Sequence, residues 1–482
     1  MITSVRNPRV AAALKLHKRA FRERERSFLV EGAQVLGEAL SRPGGRLSTL
    51  FFTQPSHELV DRAAEAGADI FHVSEDVLER LARTVTPQGF VGVAPFVDVP
   101  LGSLPEGPAC VALLHAVRDP GNAGAVLRSA DAVGADAVVL TATSVDVYNE
   151  KTVRSSAGSL FHLPVVRGVE TADAVDALRA RGVRILAMDA GGEADLYEQD
   201  LADPVAFVFG NEAWGLPKEV AALADDVVRV PISGRAESLN LAAAATVCLF
   251  EWERQRREGR RAVLETIIAA AAHDIRSPLT AMKGIGHALA TRWDRMTPQD
   301  RDLMLQGIQY DTDRLNAILR QLVDAARIAA GALELYPERT DVGTIVENIA
   351  ASLARDPDHA GVQWTGPGEV VAFVDPERLQ LVLESFVESL VWWANAGPVR
   401  VDGSVRDGRL VIEARRGETR LSQEEADRLF LPRAPGSGSG SKIGLFVAQG
   451  VVAAQGGTTS AVVTDGALSF RLELPAAAPA DA

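Results

Sequence analysis

Along the chain the spacing of apolar and polar positions changes character several times, and each change predicts a different kind of element. From Phe28 to about Val99, short apolar runs such as Leu50-Phe51-Phe52 and Phe90-Val91-Gly92-Val93 alternate with helical stretches such as Ser74 to Thr84. This predicts a small α/β domain. From Ala109 to about Pro231 strands are expected at 110–114, 137–140, 184–188, 205–209 and 227–230, with a helix around Ala123 to Val133 after the first. Such alternation is the signature of a parallel sheet covered by helices, whose ligands collect in loops beyond the strand carboxyl ends. Between the two blocks, the Pro/Gly-containing stretch from Pro100 to Pro108 reads as a linker.

After Asn240 a long helix is predicted to run from Leu241 to Thr291. Thr297-Pro298-Gln299-Asp300 then supplies an N-cap, a proline in the first turn and an acidic third position, which opens a second helix. Within it Leu315, Ile318, Leu322 and Ala325 form the seam of a helical hairpin that dimerises into a bundle, and Gly331 is placed to end it. From Tyr336 to about Pro475, strand-like runs at 399–401, 410–414 and 468–474 mix with two helices, an α+β pattern. The last residues, Ala476 to Ala482, read as a frayed tail.

The 482 residues allow roughly three domains at about 150 residues each. Apolar residues at 47% and charged residues at 24% are ordinary globular usage, so disorder and fibrous repeats are excluded. A net charge of −14 argues against a protein that coats nucleic acid indiscriminately, so any such site must be a local patch. One candidate patch is the amino-terminal stretch, where Arg6, Arg9, Lys15, Lys18, Arg19, Arg22, Arg24 and Arg26 face only Glu23 and Glu25. A solvated amphipathic helix explains that surplus as well as an RNA-contacting arm does. Cys110 and Cys248 stand too far apart in sequence for a zinc-ligand pair and read as reduced core thiols, so no metal site is expected. The start lacks a signal peptide and no run reaches the roughly 18 apolar residues of a membrane span, which predicts a cytoplasmic protein.

Three polar clusters fall where predicted strands run into helices. They are Asp119-Pro120-Gly121-Asn122-Ala123-Gly124 with Arg128 following, Phe209-Gly210-Asn211-Glu212-Ala213-Trp214-Gly215-Leu216-Pro217, and Pro231-Ile232-Ser233-Gly234 leading to Glu237-Ser238-Leu239-Asn240. Each alone reads equally well as a turn or a helix cap. Together, in this order, they resemble the three signature motifs of SPOUT-class RNA 2′-O-ribose methyltransferases, the SpoU/TrmH-like family. The resemblance covers about residues 1–256. Phe28-Leu29-Val30-Glu31-Gly32 and Thr86-Pro87-Gln88-Gly89-Phe90 resemble parts of that family's amino-terminal substrate-binding domain, and Val153-Arg154-Ser155-Ser156-Ala157-Gly158-Ser159 also has a counterpart.

The resemblance implies a knotted α/β fold, a homodimer and S-adenosyl-L-methionine as methyl donor. Asn122 and Arg128 match the first motif, Glu212 the second, and Ser238 with Asn240 the third; these five are the candidate catalytic residues. Gly210, Asn211, Gly215, Leu216, Pro231, Ile232, Ser238 and Leu239 would hold the cofactor, largely through backbone groups. No obvious base stands among them. A guanidinium with a pKa above about 12 is a poor one, so Arg128 is expected to bind phosphate and steady charge on the attacking ribose oxygen. Asn122 and Asn240 would orient the ribose and Arg128, and Glu212 would fix the loop or Arg128.

A second resemblance begins at Ala272-His273-Asp274-Ile275-Arg276-Ser277-Pro278-Leu279-Thr280, which is similar to the phosphoacceptor box of two-component histidine kinases, with His273 as phosphoacceptor. The matching ATP-binding domain departs from its pattern. Glu384 and Glu388 stand where asparagines are expected, and Arg415-Arg416-Gly417-Glu418-Thr419 replaces the Asp-x-Gly-x-Gly segment whose aspartate receives the adenine amino group. Arginine cannot accept that bond. Gly436-Ser437-Gly438-Ser439-Gly440-Ser441 keeps the character of a phosphate lid, and Trp392 and Trp393 are expected as core or lid-packing residues. ATP and magnesium binding are therefore not expected.

The organisation that follows is an RNA substrate-binding domain (1–105), a SPOUT methyltransferase domain (106–256), a histidine-kinase-like dimerisation hairpin (257–335), a degenerate ATPase-like α+β domain (336–476) and a tail (477–482). The expected activity is 2′-O-ribose methylation of RNA, most naturally ribosomal RNA, with the second half dimerising or regulating. The alternative is a signalling kinase in which His273 accepts phosphate for a response regulator and the methyltransferase part acts as sensor.

Overall fold

The computed structural model describes residues 1–41, 47–54, 57–84, 87–353, 361–366, 370–406, 408–431 and 443–476, except the side chains of residues 273, 352 and 353. The chain divides into two compact units, Met1–Arg257 and Glu258–Ala482.

Unit 1 opens with helices α1 (Pro8–Lys15) and α2 (Arg19–Glu25), followed by β1 (Ser27–Glu31), α3 (Ala33–Ser41), β2 (Thr49–Phe52), α4 (Glu58–Glu65), β3 (Asp69–His72), α5 (Glu75–Ala82) and β4 (Phe90–Pro95). The four strands form a sheet in the order β1-β4-β2-β3, with β4 antiparallel to both neighbours and β2 parallel to β3. Gly92 of β4 lets α3 pack closely, since a Cβ there would stand 2.4 Å from Leu36 Cδ2.

The larger sheet takes its strands from the second half of unit 1. They are β5 (Cys110–Leu114), β6 (Ala137–Thr141), β7 (Val165–Val169), β8 (Arg184–Met188), β9 (Ala194–Asp195), β10 (Val205–Phe209) and β11 (Asp226–Arg229). Between them lie α6 (Pro120–Ala132), α7 (Glu150–Ser155), α8 (Thr171–Arg179) and α9 (Lys218–Ala221). All pairings are parallel, in the order β7-β6-β5-β10-β8-β11-β9. Strand alternation divides the core between the two faces. Cys110, Ala112 and Leu114 of β5 pack with α6 and with Cys248, Leu249 and Trp252, whereas Val111 and Leu113 pack with Ala174, Val175 and Leu178 of α8. After β5 the chain builds outward one way through β6 and β7; later strands build the other way. The order therefore reverses between β5 and β10, the place where open α/β sheets leave a crevice at their carboxyl ends.

The stretch from Pro100 to Pro108 is not a free linker. It holds a 3₁₀ turn at Leu101–Ser103 and buries Leu104, and just before it the Val99 N–H donates to the Val165 carbonyl of the edge strand β7. Past β11 the chain returns to α6, where Thr246 and Ser129 hydroxyls meet at 2.7 Å. The helix that begins there, α10, spans Leu241–Arg292 with Pro278 inside it, and the boundary between the two units falls within it.

In unit 2, a 3₁₀ turn (Trp293–Arg295) separates α10 from α11 (Pro298–Ala330), whose start is a capping box between Thr297 and Asp300 and whose end is Gly331 at φ 66°. Ile318 and Ala325 of the α11 seam are buried. Then follow β12 (Glu338–Asp341), α12 (Val342–Leu353), β13 (Val362–Trp364), β14 (Val371–Val374), α13 (Pro376–Trp393), β15 (Ala394–Arg406), β16 (Arg409–Thr419), α14 (Gln423–Asp427), α15 (Gly444–Ala454), β17 (Thr458–Thr464) and β18 (Ala467–Pro475). Five strands form a sheet in the order β13-β15-β16-β18-β17, and β12 pairs with β14. Phe386, Phe430 and Phe470 meet in the core between α13 and this sheet. Of the paired tryptophans only Trp393 joins that core; Trp392 is 48% exposed because it lies one residue round the last turn of α13. Ala476 is held by bonds to Gly408 and Phe373 backbone groups, so the expected tail starts after it, outside the described residues.

Candidate functional site

The first polar cluster forms because β5 ends against a helix start. Asp119 caps α6, its carboxylate accepting the Asn122 N–H at 2.9 Å, and Pro120 fills the first helical position, where a missing N–H costs nothing. Lys151 lies 2.9 Å from the other Asp119 oxygen, and this bond, with the backbone N–H groups, holds the Asp119 carboxyl below its ordinary range. Gly124 is required by packing. A Cβ there would stand 1.9 Å from Ser155 Oγ and 2.5 Å from the Thr152 carbonyl of α7.

The second cluster follows β10. Asn211 and Gly215 exchange both backbone hydrogen bonds at 2.9 Å, closing a tight loop that Gly215 turns at φ 66°. A Cβ on Gly210 would lie 2.3 Å from the Gly215 carbonyl carbon, so only glycine permits this approach. Asn211 is buried and its side chain is committed to the loop, donating to the Ala116 carbonyl at 2.7 Å and accepting from Ala213 N–H at 2.9 Å. Leu216 is buried in the core behind the loop.

The two loops meet on Glu212. Its carboxylate accepts the backbone N–H groups of Arg118 and Asp119, both at 3.0 Å, and the Asn122 side-chain amide at 3.1 Å. Partial burial alone would raise its pKa, but these donors outweigh burial and hold Glu212 ionised below the usual range. The third cluster reaches the same place through Asn240, whose amide donates to Asn122 Oδ1 at 3.1 Å. Its own Oδ1 accepts the N–H groups of Ala242 and Ala243 and so caps α10. Asn122, Glu212 and Asn240 thus form one chain of bonds across three separate loops.

Arg128 and Ser238 are not drawn into that chain. Arg128 lies six residues beyond Asn122 on α6, is exposed, and has no hydrogen-bond or ion-pair partner among the described residues. Ser238 is exposed on the loop before α10. Pro231 and Ile232 are half-buried and Leu239 is 40% exposed. Among the described residues, no backbone N–H from 231 to 239 donates to another backbone group. The loop therefore presents open donors beside an apolar side chain.

Two features at this site escaped the motif reading. Trp214, at the tip of the Asn211–Gly215 loop, is 60% exposed, and the Arg118 guanidinium carbon stands 6.0 Å from its ring centroid. Neither residue carries a sequence signal beyond its type. The amino-terminal basic surplus is also smaller in space than in sequence. Arg22 is buried against Asp146 with Nε at 3.1 Å and donates to the Leu16 and His17 carbonyls, so it is an internal tether and not an RNA contact. Arg9 pairs with Asp69, Arg24 with Glu25 and Arg26 with Asp98. His17 meets Glu150 beside the Arg22 pair.

In unit 2, α10 carries residue 273, but the side chain of His273 lies outside the described residues, as does the lid-like stretch 436–441. Glu384 accepts from Gln380 at 2.8 Å on α13. The Arg415–Thr419 segment is the end of β16, with Gly417 opposite Ala396 and Arg416 opposite Leu468. Arg416 donates to the Val391 and Gly397 carbonyls at 3.1 and 3.0 Å, and burial lowers its pKa. Among the described residues there is no group of three or more acidic, histidine or cysteine side chains placed to hold a metal, and no helix long and apolar enough to cross a membrane.

Residues 109–250 match the model of the SpoU rRNA methylase family, residues 7–92 that of an MRM3-like substrate binding domain, and residues 263–331 that of the His Kinase A (phospho-acceptor) domain. The 23S rRNA (guanosine(2553)-2′-O)-methyltransferase of Bacillus subtilis is 35% identical over 249 residues, which are 52% of this chain and 97% of that one. The 23S rRNA (uridine(2479)-2′-O)-methyltransferase of Streptomyces viridochromogenes is 36% identical over 261 residues, 51% of this chain and 89% of that one. Among solved structures, an AdoMet-bound rRNA methyltransferase from Sinorhizobium meliloti aligns at 36% identity and a TM-score of 0.48, covering 52% of this chain and 97% of that one. Because its first half spans nearly the full length of relatives more than 30% identical to it, the chain belongs to the SpoU rRNA methylase family.

Proposed function

We propose that unit 1 transfers a methyl group from S-adenosyl-L-methionine to a ribose 2′-hydroxyl of ribosomal RNA. The observation that carries this reading is the bonded chain Asn240–Asn122–Glu212 at the carboxyl ends of β5 and β10, where the sheet order reverses. Relatives named as 23S rRNA 2′-O-methyltransferases support the substrate class.

The residues present fit the cofactor. Backbone N–H groups of 232–239 are open among the described residues, Leu239 offers an apolar contact, and Gly210 and Gly215 let a second loop close tightly on its own backbone. Gly210, Asn211, Gly215, Leu216, Pro231, Ile232, Ser238 and Leu239 would hold it, with Asn211 and Leu216 acting through the loop backbone, since their side chains are engaged inward. When bound, it supplies an electrophilic methyl group on sulfur. The chain's own task is to hold the ribose oxygen in line and to offset the charge that develops there. The Asn122 carbonyl oxygen is fixed by Asn240 and its amide by Glu212, so the side chain has one orientation. Arg128, unpaired among the described residues, is available to bind the nucleotide phosphate and stabilise the developing alkoxide.

The reading assigns unit 2 as a histidine-kinase-like hairpin and ATPase-like domain that dimerises or regulates the enzyme and does not transfer phosphate. Arg415, exposed on β16 at the first position of that segment, supports the loss of adenine recognition, because a donor stands where an acceptor is needed. Mapping ribose methylation in ribosomal RNA from cells with and without this chain tests the first assignment; no site lost on deletion removes it. Incubation with labelled ATP tests the second; acid-labile phosphate on the wild type but not on His273→Ala would restore the kinase alternative.

A further inference from the structure

We infer that Trp214 and Arg118 together form a stacking platform for an unpaired base of the RNA strand that enters the site. The inference rests on the methyltransferase reading above and adds to it the residues that grip the nucleotide's base.

The Asn211–Gly215 loop is rigid where it begins and ends. Its two ends are bonded to each other, and the Asn211 side chain ties it to Ala116 and Ala213. Trp214 projects from the tip between those ties, and the neighbours Ala213 and Gly215 are too small to shield the ring. The indole is left 60% exposed two residues from Glu212. Arg118 faces that ring, and its backbone N–H holds the Glu212 carboxylate, so both members of the pair are tied to the group that orients Asn122. Position and chemistry agree. An aromatic plane flanked by a guanidinium is what RNA-binding sites use for a splayed base. Every base has a π face, so the pair should supply grip and not sequence choice.

The test uses the full chain, radiolabelled S-adenosyl-L-methionine and in vitro transcribed 23S rRNA as acceptor. Trp214→Ala should raise KM for the transcript about tenfold or more, while Trp214→Phe stays within about threefold because it keeps an aromatic face. Trp214→Leu, apolar but without that face, should resemble Trp214→Ala, which a packing role alone would not produce. Affinity for S-adenosyl-L-methionine, read by calorimetry, should be unchanged in all three. If the wild type is active and Trp214→Leu keeps the wild-type KM, or if Trp214→Ala loses the cofactor, the platform is overturned while the methyltransferase reading stands. An inactive wild type that also fails to bind the cofactor overturns both.

Discussion

The side-chain amide of Asn240 donates to the side-chain oxygen of Asn122 at 3.1 Å, joining the start of α10 to the start of α6 across 118 residues of chain. Asn240 does two separable jobs, since its own oxygen also caps α10. Serine can cap a helix but cannot reach across as an amide donor. Asn240→Ser should therefore keep the thermal stability of the wild type and lower methyl transfer about 10²-fold, the scale of a misplaced reacting group. Asn240→Ala should lose the same activity and, in addition, about 1 kcal/mol of stability. Paired melting curves and single-turnover rates separate the two jobs.

Arg128 gives the opposite combination of effects. It is exposed and unpaired among the described residues, so Arg128→Ala should leave stability within about 0.5 kcal/mol. Methyl transfer should fall by at least about 10²-fold, as when a group that stabilises transition-state charge is removed. Preserved turnover would refute its assigned role.

The buried pair of Arg22 and Asp146 makes a prediction about folding. Arg22→Ala strands a buried carboxylate and should cost unit 1 about 3–5 kcal/mol. The double variant Arg22→Met, Asp146→Leu should recover part of that loss, because it removes both charges. Urea unfolding midpoints report the difference. A double variant no more stable than the single one would show that the pair's value lies elsewhere.

His162 predicts how stability responds to pH. Burial opposes its charge, but hydrogen bonds to Asp131 at 2.8 Å and Glu38 at 3.2 Å prevail and raise its pKa above the ordinary 6.5. A raised folded-state value means that the native protein binds the proton more tightly than the unfolded chain does. The resulting stabilisation is complete below about pH 6.5 and fades as pH climbs through the folded-state value. His162→Gln should flatten this part of the stability curve, measured by unfolding between pH 5.5 and 8.5; an unchanged curve would contradict it.

Much of this was legible in the sequence because local signals and tertiary needs agree. Strand 205–209 is apolar throughout and is buried throughout; Thr297, Pro298 and Asp300 announce α11 and build its capping box. Asn122, Glu212 and Asn240 were found from motif order, and the structure brings them into contact. Other features depend on distant partners and leave no local mark. Arg22 reads as one more surface cation until Asp146, 124 residues away, is folded against it. The stretch from Pro100 to Pro108 has linker composition, yet Leu104 within it is buried against the core that β5 and α8 share. Trp214 would be core material by type, and only the short closed loop at its base keeps it in solvent.

The central claim is tested most directly by incubating the purified full chain with labelled S-adenosyl-L-methionine and unmodified 23S rRNA, then hydrolysing the RNA with alkali. A methylated 2′-oxygen cannot attack its neighbouring phosphate, so the account predicts label in one alkali-resistant dinucleotide, absent with Arg128→Ala. Label released as mononucleotides, or no label at all, would contradict it.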